Sequence, residues 1–231
     1  MRRRLLTAAL AIAILVPTGV ALGAFTQTAH TRLTAHHSGQ SSGLSVVMVA
    51  TDPTAPGAKP RAVRSITLGF PRGTRFDLLR PGLRACRLSD HQLTTPFGPT
   101  CPRASRIGAV TAVANANPIA ATVKEPGSLY VTGSNQLMIV LRPALPGAPV
   151  EIIRGSVSGA TLVLHVPRVV WGKLVGVALV SLKLTVPAQG AGSTALITSG
   201  ACRSGRFVIH ERLVYGDRTS IALASGSACA G

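Results

Sequence analysis

The chain has 231 residues, of which 46% are hydrophobic and 13% charged, too apolar for a mainly disordered polypeptide and long enough for one substantial core. Its 24 Lys and Arg outnumber 7 Asp and Glu, giving a net charge of +17 that favours anionic polymers or lipid headgroups as partners. With 3% aromatic residues there are few rings on which bases stack, which argues against nucleic acid.

In chain order, Met1-Arg2-Arg3-Arg4, the apolar run Leu5 to Val16, the break at Pro17-Thr18-Gly19 and the small residues Ala21 and Gly23 form a signal peptide over 1–23. Removing its three arginines leaves +14 of the original +17. An uncleaved single-pass anchor with the domain outside is the alternative, since Leu5 to Ala24 is about the 20 residues a bilayer requires, although Pro17 and Gly19 interrupt it. Residues 24–60 read as a flexible linker: His30 to Gly43 is polar and Thr51 to Pro60 is rich in breakers. Between them Leu44 to Ala50 is one short strand.

Residues 61–231 read as one all-β domain, an antiparallel sandwich or barrel. Ile66, Leu68 and Phe70 alternate with polar partners, as do Val180, Leu182, Leu184 and Val186, while Phe207, Ile209 and Leu213 share a face with Glu211. Further strands are expected at Ile107 to Ala114, Leu129 to Thr132, Leu137 to Arg142, Val150 to Val157 and Thr161 to Val166, with Gly and Pro at the junctions, Pro126-Gly127 and Ser158-Gly159 among them. Ser89 to Leu93 is the one helical turn. Leu174 to Leu182 is bracketed by Lys173 and Lys183, too short to cross a membrane, and reads as a central strand. Trp171 at a strand end reads as a packing residue.

Cys86, Cys101, Cys202 and Cys229 are an even set without a CxxC pair, the pattern of disulfides in an oxidising compartment. Of three pairings, Cys86 with Cys101 and Cys202 with Cys229 costs least in loop closure. Near the first pair the cations crowd, and Arg64, Arg72, Arg75, Arg80, Arg84, Arg87, Arg103 and Arg106 form the candidate anionic-ligand patch.

Catalytic chemistry has little to draw on, because the seven acids are widely spaced, no histidine has a second at metal-ligand spacing, and no metal or cofactor is expected. His36 and His37 fall in the linker, and His165 and His210 sit in strand patterns. His210, Glu211 and Asp77 are the candidates if the protein is a hydrolase, although neighbours on a strand face opposite ways. Gly190 to Ala195 has the GxGxxA form but is followed by a strand pattern where a dinucleotide site needs a helix, and Gly155 to Gly159 has Val157 where a nucleophile elbow needs serine.

Phe70-Pro71-Arg72-Gly73, Phe76-Asp77, Cys86 and Cys101-Pro102-Arg103-Ala104-Ser105-Arg106-Ile107-Gly108 resemble a set of exported actinobacterial β-rich proteins of unknown function that carry a Cys-Pro-x-x-Ser-x-Ile-Gly string and a later cysteine pair. The resemblance runs from about Val63 to Cys229 and implies an exported β-domain, with no activity or site attached. In that string Gly108 allows close approach as a strand begins. The expected protein is therefore a secreted or envelope-located binding or structural component with a basic surface, with an envelope-polymer hydrolase as the alternative.

Overall fold

The structure, a computed structural model, describes residues 26–51, 59–95, 98–171 and 175–230; the signal segment 1–23 and the side chain of Trp171 lie outside what is described. In chain order the elements are β1 (Thr26–Leu33), β2 (Leu44–Thr51), β3 (Val63–Gly69), β4 (Arg75–Phe76), α1 (Asp90–Thr94), β5 (Arg106–Ala116), β6 (Ala120–Val131), β7 (Gln136–Leu141), β8 (Glu151–Ser158), β9 (Thr161–His165), β10 (Val170–Trp171), β11 (Val175–Gly176), β12 (Ala178–Val186), β13 (Ile197–Thr198), β14 (Arg206–Tyr215) and β15 (Ser220–Ala228). The all-β expectation holds. Eleven strands make one sheet in the order β1-β2-β12-β5-β6-β7-β8-β9-β3-β14-β15, every neighbouring pair antiparallel, curled into a nearly closed barrel.

An odd number of alternating strands leaves the first and last parallel, so closure needs a different kind of seam. Here hydroxyl groups make it: the Thr31 amide donates to Ser225 Oγ at 2.7 Å, Ser225 Oγ donates to the Thr31 carbonyl at 3.0 Å, and Ser227 Oγ donates to the Leu33 carbonyl at 2.9 Å. Beyond them the Ala230 amide donates to the His36 carbonyl, where His37 and Ala230 form a parallel bridge.

Alternation sends the apolar face of each strand inward. Leu182, Leu184 and Val186 are buried while Lys183 and Thr185 are exposed; a bulge between Leu179 and Ser181 takes Val180 out of that register. His30, Arg32, Lys124, Arg154, Lys183 and Arg212 face out, so the barrel is apolar inside and polar outside, the inverse of a bilayer-spanning barrel. Strand β7 is buried on both faces: Leu137, Ile139 and Leu141 point into the barrel, whereas Met138 and Val140 pack under Cys86, Leu93 and Cys101. This explains its unbroken apolar run. The covering loop is held by the Cys86–Cys101 disulfide, by the Ser89 cap of α1 and by an Arg154–Asp90 ion pair.

Eleven strands enclose more space than the about eight whose own side chains fill a bore. One end is accordingly plugged: β4 pairs with β13, and Phe76, Leu78, Leu196 and Ile197 enter among Leu44, Leu129, Leu164 and Leu184, leaving about 20 Å³. Gly108 lets β5 approach β12 there, since a Cβ on it would sit 2.6 Å from the Thr185 carbonyl.

Two expectations change. Residues 24–60 are not one linker with a single strand, for both β1 and β2 belong to the barrel and the polar segment between them is ordered by its side chains. Ser42 Oγ accepts from the Thr34 and Ala35 amides, Ser199 Oγ donates to the His37 carbonyl, and Ser38 Oγ accepts from the Cys202 amide, so hydrophilic residues serve the cap's backbone rather than solvent. Also, Pro126-Gly127 is no junction: β6 runs through it, with the Pro126 carbonyl accepting from the Arg142 amide at 2.8 Å.

Candidate functional site

At the plugged end the alternation of β14 places Arg206, Val208 and His210 on the outer face while Phe207, Ile209 and Glu211 face the core. The tight turn before it, with Arg203 and Arg206 bonded to each other through their backbones, is tied to the end of β15 by the Cys202–Cys229 disulfide. Strand β3 delivers Phe70, Pro71 and Arg72 alongside, and the Arg72 carbonyl accepts from the Ala201 amide at 2.8 Å. The result is an open groove of about 400 Å³ lined by Arg72, Arg203, Arg206 and His210 over Phe70, Pro71 and Val208. No carboxylate lines it. Among the described residues the ion pairs are Arg61–Asp217 and Arg154–Asp90, so all three groove arginines lack an acidic partner. Val208 is 42% exposed, adding an apolar contact to the cationic floor. A guanidinium fork matches the paired oxygens of a phosphate or carboxylate, and three in one groove suit a repeating anion.

The eight arginines of the expected patch do not share one surface. Arg72 lines this groove, and Arg75 lines an adjoining hollow with exposed Asp77. Arg80 folds onto the Thr194 carbonyl at 2.9 Å and Gln189 Oε1 at 3.2 Å, a structural use of its charge. Arg84, Arg87, Arg103 and Arg106 are exposed on the segment around the Cys86–Cys101 bridge, and Arg64 lies at the opposite end of the barrel. Sequence reasoning missed Arg203 and Arg206; their signal was position beside Cys202 and on the outer face of a recognised strand.

At the far end the barrel mouth holds a second pocket, of about 300 Å³, between the inner wall and residues 166–169 and 176–179. Glu151 lines it, and Glu125 lies on β6 across β7. Both carboxyls are buried, and one oxygen of Glu125 has no partner. Burial pushes Glu125 up to about 7, and burial together with the negative charge of Glu125 pushes Glu151 up to about 8. Nothing in the sequence singled out either residue, because their strands flank β7 and only the pairing register across it brings Glu125 within electrostatic reach of Glu151.

Glu211 is the third buried acid, 1% exposed at the seam, where Ser225 Oγ donates to it. His210 stands on the outer face of the same strand, and Asp77 is in a different hollow. The three hydrolase candidates are therefore not brought together. Among the described residues no three histidine, cysteine, aspartate or glutamate side chains gather as a metal site requires, and no helix is long and apolar enough to cross a membrane. No family model, no curated protein and no solved structure matches this chain.

Proposed function

We propose that this is an exported, non-catalytic component of the cell envelope that binds an anionic wall polymer through its arginine groove. The observation that carries the reading is the convergence of Arg72, Arg203 and Arg206 on one groove that no carboxylate lines. The two disulfides support an extracytoplasmic compartment, since such bonds persist where the medium is oxidising. The excess of cations over acids adds a long-range field that gathers polyanions before contact. A polymer suits the groove better than a lipid headgroup, because the groove is open and extended by Arg75 next to it.

Cosedimentation of the mature oxidised protein with purified walls tests this. Binding is expected at about 0.1 M NaCl and release at about 1 M, where charges more than about 3 Å apart are screened. Walls stripped of phosphate and uronate polymers should retain little, and R72Q/R203Q/R206Q should bind intact walls no better than stripped ones. Equal retention by stripped walls, preference for anionic lipid vesicles, or turnover of labelled wall fragments would each overturn the proposal.

A further inference from the structure

The mouth pocket at the other end of the barrel differs from the groove in both shape and lining. Its interior is aliphatic, built from Leu141, Ile153 and Ala178 of the barrel and Val166 and Val177 of the overlying segment. Its rim carries Lys59, Arg64 and Arg168. A volume of about 300 Å³ is at the small end of the range for ligand pockets, roughly 300–1,000 Å³. At the plugged end the barrel interior keeps only about 20 Å³, so an aliphatic space of this size inside the barrel wall belongs to the mouth. We infer that the mouth is a binding site for a small single-chain anionic amphiphile, whose head pairs with the Lys59, Arg64 and Arg168 rim and whose apolar body enters beside Leu141 and Ile153.

Charge complementarity selects this occupant. A neutral apolar molecule leaves three rim cations unused, and a cationic amphiphile meets them head-on. Lys59 donates to the Asn117 carbonyl at 3.5 Å, which holds its ammonium at the barrel edge, while Arg64 and Arg168 have no ion-pair partner among the described residues. The wall adds a second requirement through Glu151. While neutral, it offers a hydrogen-bond donor to the ligand and leaves the rim's positive charge intact. Once ionised together with Glu125, it offsets two of the three cations.

Glu125 from β6 is the charged group that acts on Glu151, while Arg64 from β3 and Lys59 and Arg168 from the flanking segments line the same pocket at its rim; β5 and β12 contribute Ala114, Ala178 and Leu179. His165 on β9 is exposed on the outer face. With Glu125 pushed up to about 7 and Glu151 up to about 8, the pocket favours an anion below that range and loses its preference above it.

Octanoate is the probe, read by calorimetry and by methyl NMR on the oxidised protein, with octanol and octyltrimethylammonium as controls. Octanoate is expected to bind more tightly than either control at about pH 6, and on the order of tenfold more weakly at about pH 9, one factor of ten being about 1.4 kcal/mol. R64Q/R168Q, at solvent-accessible positions, should remove most of that affinity without unfolding the protein. E151Q should bind at about pH 6 like the parent and lose less at about pH 9, because the amide does not ionise. The methyl groups of Leu141, Ile153 and Val166 should shift, and that of Val208 in the arginine groove should not. Undetectable octanoate binding, equal binding of the cationic probe, unchanged affinity in R64Q/R168Q, or shifts confined to Val208 would overturn the site. None of these outcomes counts against wall binding through Arg72, Arg203 and Arg206, so the two readings fail independently.

Discussion

Glu125 and Glu151 are two of the three buried acids among the described residues, and burial holds their carboxyls toward the neutral form. Their folded-state values of about 7 and about 8 lie above the ordinary 4.5, so the folded state holds protons that the unfolded chain has released. Stability is therefore fullest below about pH 4.5, declines as pH rises through the window up to about 8, and levels off above it. A loss on the order of 3 kcal/mol across that window corresponds to roughly 10 °C in Tm, allowing for relaxation around the ionised pair. Calorimetry between about pH 5 and about pH 9 measures it, and E151Q should flatten the curve by removing the more displaced group. A profile rising toward alkaline pH would contradict the burial of this pair. Ser225 is the corresponding test of the seam. Its hydroxyl accepts from the Thr31 amide and has one proton to share between the Thr31 carbonyl and the buried Glu211 carboxyl, so Ser225→Ala leaves the amide and one acceptor short of a partner and should cost about 2–3 kcal/mol in urea denaturation. Ser227→Ala, which releases a single carbonyl, should cost less.

The elements show what alternation reveals and what it conceals. Strands β3, β12 and β14 were legible because one face is aliphatic and the other polar, and the buried set Ile66, Leu68, Leu182, Leu184, Phe207, Ile209 and Leu213 follows that pattern. Strand β7 was legible as an apolar run whose second face only the disulfide loop explains. Strands β1 and β15 are hard to read because they meet across the seam, where Thr31, Ser225 and Ser227 interrupt the aliphatic series of Ala29 and Leu33 on β1 and of Ile221 and Leu223 on β15. Hydropathy cannot separate a hydroxyl that closes a barrel from one that faces water. The first half of β6 was hidden by Pro126-Gly127, a turn signal overridden when flanking strands supply the pairing. The disulfides followed from spacing alone, and their loops have different duties. Cys86→Ser with Cys101→Ser should cost about 3 kcal/mol and expose Met138 and Val140, with the barrel intact by circular dichroism. Cys202→Ser with Cys229→Ser, a similar loss in energy, should also speed amide exchange along β15 and weaken polyanion binding, because that bridge fixes the turn bearing Arg203 and Arg206.

As a whole molecule the protein is a plugged barrel with an arginine groove at one end and an aliphatic, cation-rimmed mouth at the other. Its composition pointed to the anion binding proposed above but not to a place, because six of the eight arginines expected to act together are elsewhere in the fold or bound to it: Arg64 at the mouth, Arg80 on Gln189, and Arg84, Arg87, Arg103 and Arg106 around the first bridge. Arg72 alone of the eight lines the groove, and the partners it finds there come from the turn and start of β14, about 130 residues later in the chain, a proximity created by the pairing of β3 with β14. In the proposed function Arg72, Arg203 and Arg206 act jointly on a repeating anion. The most direct test of that joint action is the affinity of the mature oxidised protein for linear polyphosphate as a function of NaCl concentration. The logarithm of affinity should fall linearly with the logarithm of salt as counterions are released, and R72Q/R203Q/R206Q should flatten that line. A slope unchanged by the triple substitution would place the binding elsewhere on the surface and contradict the account.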